Sequence, residues 1–140
     1  MSNKKSGTDF EREFCQLTKD YGFWSHMLNA NMDGQPADVI ICKNNTPVLV
    51  DCKDCKSSYF RLDRIEENQE LAMERWIKKG NDAAFFAVRM DENVWMIPFT
   101  FLKKIKDAGF SNISEKQIKK VGNLTFESWV VRFDAALNKQ

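Results

Sequence analysis

A chain of 140 residues, 43% hydrophobic and 29% charged, is long enough to bury one core and has the make-up of an ordinary globular domain. The formal net charge of +1 excludes a whole-chain field for gripping nucleic acid, so any basic surface has to be a local patch. Met1 to Asp9 is polar rather than a secretory leader, and no apolar run approaches the length of a membrane span, which makes the cytoplasm the expected compartment.

Met1 to Gly7 reads as a short flexible basic arm in which Lys4 and Lys5 are candidate phosphate contacts. Thr8-Asp9-Phe10-Glu11 has the spacing of a capping box with Thr8 as N-cap. Phe10, Phe14, Leu17 and Tyr21 then form the apolar stripe of a first helix, which Gly22 ends. Glu11 and Glu13 flank that stripe, and Glu11 either serves the cap alone or leans toward the sheet. Phe23 to Leu28 predicts a first strand with His26 as a bystander near its end, and Asn29 to Pro36 a polar loop.

Ala37-Asp38 opens the apolar run Val39-Ile40-Ile41-Cys42, Lys43-Asn44-Asn45-Thr46 reverses the chain, and Pro47-Val48-Leu49-Val50 leads into Asp51-Cys52-Lys53. Residues i and i+2 of a strand share a face, so Asp51 and Lys53 project together while Cys52 turns away. The hairpin can bring Asp38 beside Asp51. Two adjacent carboxylates suit a divalent cation, and a lysine beside them suits an activated water or a developing phosphate charge. The four cysteines (Cys15, Cys42, Cys52, Cys55) point to neither disulfides nor zinc. The single C-x-x-C has no second pair, and His26 is the only histidine.

Asp54 to Phe60 reads as a polar connection. Leu62, Ile65, Gln69, Ala72, Met73 and Trp76 sit at helical spacing up to Gly80, with Gln69 as a polar residue near the apolar face. Ala83 to Val88 predicts an interior strand, and Val94 to Pro98 an edge strand closed by proline. Phe99 to Ala108 predicts a helix carrying Lys103 and Lys104, Ser114 to Val121 a shorter helix, and Leu124 to Phe133 a late strand. The expectation is a single α/β domain over 1–140: an arm at 1–7, a core at 8–100 and a helical and strand extension at 101–140. Its element order is α-β-β-β-α-β-β-α, with helices packed on a mixed sheet.

An acid on the first helix (Glu11), then Pro36-Ala37-Asp38, then a strand bearing Asp51-Cys52-Lys53, resembles the PD-(D/E)xK nuclease superfamily. The stretch Gly7 to Glu13 is similar to the opening of Holliday junction resolvases of the archaeal Hjc and bacterial RecU types, and Gln69 followed by Gly80 and Phe85 to Val88 to the RecU arrangement. The resemblance implies a restriction-endonuclease-like α-β-β-β-α-β core and an endonuclease that hydrolyses phosphodiester bonds in branched DNA during recombination, repair or phage DNA processing. It also implies Mg²⁺, or Mn²⁺, held by Asp38, Asp51 and the Cys52 backbone carbonyl, with Glu11 binding directly or through water. Lys53 and Gln69 would then orient the attacking water or steady the phosphate. Lys4, Lys5, Arg61, Arg64, Lys103 and Lys104 are the candidate DNA contacts.

Symmetric cutting of a four-way junction implies a C2 homodimer, for which Trp95 and its apolar neighbours on an edge strand are candidate surface. Two features depart from the resolvase pattern: Asp51 stands where glutamate is usual, and no stalk-like insertion is present. Two other readings share these residues: a restriction-like or repair nuclease of the superfamily acting on duplex or flap DNA, and an inactive DNA-binding protein of the same fold.

Overall fold

The chain reverses at Asn44 and Asn45, whose φ angles are 49° and 65°. Both central residues of this two-residue hairpin turn need positive φ, which asparagine tolerates better than most side chains. The computed structural model describes residues 3–28 and 37–137, with side chains from residue 9 onward. Strands β2 (Val39–Lys43) and β3 (Thr46–Cys55) leave the turn in antiparallel register, from Lys43↔Thr46 to Val39↔Val50. The preceding helix α1 (Asn3–Asp20) leads into β1 (Trp24–Met27), which lines the outer side of β2.

After β3 come a short strand β4 (Tyr59–Arg61), a 3₁₀ turn at Leu62–Arg64 and helix α2 (Glu67–Lys78). Strand β5 (Ala84–Met90) lies parallel to β3, a pairing that requires a crossover, and α2 supplies it. Then follow β6 (Asn93–Pro98), α3 (Phe99–Asp107), β7 (Asn112–Ser114), α4 (Glu115–Lys120), β8 (Leu124–Thr125) and α5 (Phe126–Leu137). The main sheet has the order β1-β2-β3-β5-β6-β8, and β4 pairs with β7 in a separate two-stranded sheet. Among the described residues no helix is long and apolar enough to cross a membrane.

Each face of the sheet buries its own core. Alternate residues of β2 and β3 (Val39, Ile41, Val48, Val50) meet Phe10 and Phe14 of α1, with α5 completing that layer. The other face, with Leu49, Phe86 and Val88, packs under Met73 of α2 and Leu102 of α3. Period-2 strands between period-3.6 helices therefore account for both layers.

The structure corrects several expectations. Helix α1 begins at Asn3, so Thr8 is an interior helical residue rather than an N-cap, and 3–7 continues the helix where an arm was expected. Asp54 to Phe60 is no plain connection: β3 runs on to Cys55, and β4 begins at Tyr59. Leu62 and Ile65 are buried but lie before α2, because the helix starts after Glu66, whose backbone N–H donates to Gln69 Oε1 at 3.1 Å. The expected late strand is two residues of β8 followed by helix, since Phe126, Trp129, Val130 and Phe133 follow the helical period. Strand β6 is flanked by β8, and Trp95 is 5% exposed, its indole N–H donating to Glu115 at 2.9 Å. Trp95 is therefore not a candidate docking surface. Pro36 lies outside the described residues, as do the side chains of Lys4 and Lys5.

Candidate active site at the open edge of the central strand

Strand β3 outruns its neighbour. The pairing with β2 stops at Val39↔Val50, so among the described residues Asp51 to Cys55 has β5 on one side and an open edge on the other. Asp38, one residue before β2, sits at that notch. Its N–H donates to Val50 O at 3.1 Å, its carbonyl accepts from Leu28 N at 2.8 Å, and its Oδ2 accepts from Cys52 N at 2.7 Å. A buried carboxylate thus takes the place of the missing ladder partner, which satisfies a backbone donor that would otherwise be costly to bury. The N–H and C=O of one strand residue point to the same edge, so the Cys52 carbonyl also faces the notch.

Asp51 and Lys53 share the face covered by α2. Asp51 is 0% exposed. Its Oδ1 accepts from Gln69 Nε2 at 3.2 Å, and Gln69 Oε1 in turn accepts from Lys53 Nζ at 3.2 Å. Lys53 Nζ lies 3.3 Å from Asp51 Oδ2, close enough for attraction, yet that oxygen has no aligned donor among the described residues. Gln69, in the first turn of α2, therefore joins the two charged groups that the strand presents together.

Glu11 belongs to α1, which packs on the opposite face, and its carboxyl is close enough to Asp38 and Lys53 to feel their charges. The Asp38 carboxyl lies close enough to those of Glu11 and Asp51 for its charge to act on both. Burial, followed by the charge of Asp38, raises the Glu11 carboxyl from 4.5 to about 7. Burial likewise pushes Asp51 well above the ordinary carboxylate range, with the Asp38 charge adding to the rise and Lys53 opposing it. Bringing three carboxylates together stores a demand for positive charge, and a cation meets it as well as protons do.

The donor set fits a hard divalent ion on two observations: the donors are oxygens, and Asp51 Oδ2 is buried without a directed partner. Among the described residues no three His, Cys, Asp or Glu groups already stand at the spacing of a closed metal cage. Asp38, Asp51 and the Cys52 carbonyl at the open edge are the residues able to hold such an ion, with Glu11 in reach through Asp38. Softer chemistry is disfavoured. All four cysteines are free, and Cys52 and Cys55 pack into cores on opposite faces of the sheet, so they cannot share one zinc. Burial and the neighbouring carboxylates push the Cys52 thiol up, leaving it a neutral bystander.

The predicted basic contacts divide. Arg61 is exposed but paired with Asp63 at 3.0 Å. Arg64 is turned inward, donating to Asp54 O and lying over the Phe60 ring. Lys103 pairs with Asp107 and Glu70, and Lys104 is exposed. His26 stacks on Trp24 on β1. Sequence reasoning missed Arg89, whose guanidinium joins Asp54 and Glu13 close to the site. The available signal was an arginine inside the apolar strand Ala84–Met90, where a charge needs partners.

Comparisons with known proteins bear on the family and the fold. The family model described as archaeal Holliday junction resolvase (Hjc) matches residues 2–130. Among solved structures, the chain is similar to Hjc of Archaeoglobus fulgidus, a Holliday junction resolvase from an archaeal hyperthermophile, with a TM-score of 0.64 and 17% identity, covering 89% of this chain and 95% of that one. At that identity the likeness speaks for the fold, including the central mixed sheet flanked by helices. No curated protein matches the sequence.

Proposed function

The chain belongs to the archaeal Holliday junction resolvase (Hjc) family, and from that premise we propose that it is a Mg²⁺-dependent endonuclease cutting four-way DNA junctions. The observation that carries the reading is the notch itself. Asp38 and Asp51 are buried side by side, Lys53 shares the face of Asp51, and Gln69 hydrogen-bonds to both Asp51 and Lys53. A divalent cation bound there supplies Lewis-acid polarisation of the phosphate and lowers the pKa of water.

The chain's own groups do the rest. Asp38, Asp51 and the Cys52 carbonyl would hold the ion, with Glu11 binding it directly or through water. The ammonium of Lys53 supplies positive charge where the phosphate gains negative charge. Gln69 fixes that ammonium and one carboxylate oxygen at once, so the charged pair is set before substrate arrives. Phosphate contacts come from exposed cations, with Lys104 available directly and Arg61 and Lys103 by exchanging a carboxylate for a phosphate. Recognition through shape and backbone needs no base readout. Two symmetric cuts need two sites, which supports a C2 homodimer, and a reaction on chromosomal or phage DNA is cytoplasmic.

A gel assay with Mg²⁺ tests the reading against a four-way junction, a flap and a linear duplex. Paired symmetric nicks confined to the junction are expected. Cleavage of flap or duplex instead makes the chain another nuclease of the superfamily. Junction binding without any cleavage makes it a DNA-binding protein with a silent site.

A further inference from the structure

We infer that Arg89 is a positioning residue for this site: it holds α1, and with it Glu11, against sliding along the strand that carries Asp51 and Lys53. The inference rests on the proposed nuclease reading. Arg89 lies on β5 in register with Asp54 of β3. Its Nε and Nη2 donate to Asp54 Oδ1 and Oδ2 at 3.1 and 2.9 Å, and its Nη1 donates to Glu13 of α1. The guanidinium also lies 4.4 Å from the centre of the Phe10 ring.

The sequence positions of these partners carry the argument. Asp54 directly follows Lys53. Phe10 directly precedes Glu11, and Glu13 follows it by two residues. One guanidinium thus grips the immediate neighbours of two candidate site residues on separate elements. Glu11 is carried by α1 and Asp38 by the sheet, yet the two carboxyls act on each other, so their spacing depends on where α1 rests. The apolar core beneath α1 sets its distance from the sheet, but hydrocarbon contacts resist sliding weakly. A planar fork bound at both ends and stacked on an aromatic ring fixes direction as well as distance. The triad does not serve to neutralise the site, because Asp54 and Glu13 together more than offset the arginine's charge. Its surplus is geometric.

A displacement of about 1 Å in a catalytic group costs on the order of 10²-fold in rate. Arg89→Ala in the full chain should therefore lower the single-turnover rate on a labelled four-way junction by about 10- to 100-fold, with junction affinity unchanged. Arg89→Lys, which keeps the charge and loses the fork, should recover part of that loss. Glu13→Ala leaves the Arg89–Asp54 pair intact and should reproduce a smaller loss, so it carries the test should Arg89→Ala not fold. In a double-mutant cycle, Arg89→Ala should cost little further once Glu11 is Ala, because it acts through Glu11. A second readout avoids catalysis: a Mn²⁺ titration without DNA should show weaker binding for Arg89→Ala and Glu13→Ala. Parental cleavage and parental Mn²⁺ affinity in both variants overturn the inference, as do losses that multiply fully in the cycle. An unsubstituted chain that cuts no junction overturns the nuclease reading instead, while weakened Mn²⁺ binding in the variants still upholds the positioning role.

Discussion

Gln69 donates to Asp51 across 3.2 Å, a bond between the first turn of α2 and a carboxylate with no exposed surface. The same side chain accepts from Lys53 Nζ and from the backbone N–H of Glu66. One amide therefore serves as part of a helix cap and as the link between the acid and the lysine of the strand. Removing it tests both duties at once.

Gln69→Ala should lower stability by about 1 kcal/mol, the usual worth of a capping contact. It should also slow junction cleavage by roughly 10- to 100-fold through loss of preorganisation. Urea unfolding and single-turnover kinetics separate the two effects. A stability loss with unchanged kinetics would confine Gln69 to capping.

Asp51→Asn keeps the shape of the side chain and the acceptor for Gln69 but removes a charge that burial disfavours. Cleavage should fall at least about 10²-fold, since a metal ligand and its several kcal/mol of charge stabilisation are lost. Stability should rise or hold, because burial already disfavours the charged form of Asp51 more than Lys53 favours it. The checks are junction cleavage, junction binding by gel shift and thermal unfolding without divalent ions. A variant that cleaves at the parental rate would remove Asp51 from the mechanism.

The raised carboxyls predict an uncommon pH profile. Glu11 moves from 4.5 to about 7 and Asp51 moves upward as well, both chiefly through burial. A carboxyl whose folded pKa is raised holds its proton more tightly in the folded chain than in the unfolded one. Its contribution is fully present below the unfolded pKa and is lost as pH rises through the folded value. In the presence of a chelator, the urea midpoint should therefore fall between about pH 5 and pH 8, and Glu11→Gln should flatten the slope. Added Mg²⁺ should stabilise more at the alkaline end, where the ligands are deprotonated. A midpoint that climbs steadily over this range would contradict the carboxyl cluster.

Much of the site is legible in the sequence because it follows local rules. Asp51 and Lys53 share a face by strand alternation, the Asn44-Asn45 turn fixes the register, and that register delivers Asp38 to the end of β2 beside Val50. Gln69 is recognisable as a polar residue on an otherwise apolar helix face. What stayed hidden depends on contacts distant in sequence. Strands β4 and β7 have three residues each and pair across some fifty positions, too short to show a period. Arg89 and Glu13 meet over 76 residues, and neither neighbourhood names the other. The C-terminal segment was misread for a different reason: its apolar residues fit alternation and the helical period about equally over a short window, and packing against α1 decides.

That last choice has a measurable consequence in α5. Phe126, fully buried, meets Phe14 of α1 with ring centres 5.7 Å apart and Tyr21 at 5.1 Å. Trp129 and Val130, adjacent in sequence, are both buried while Val131 is exposed, which a helix face permits and a strand covered on one face does not. Phe126→Ala should cost about 3–5 kcal/mol and Trp129→Ala a similar amount, against a total stability of about 5–15 kcal/mol for a domain. Val131, 71% exposed on the same helix, should tolerate alanine within about 0.5 kcal/mol. Urea unfolding of the three variants and of Val130→Ala reads the pattern directly. Losses at 126, 129 and 130 with none at 131 fix the helix and its buried face. A loss at 131 equal to that at 129, with 130 neutral, would restore the strand.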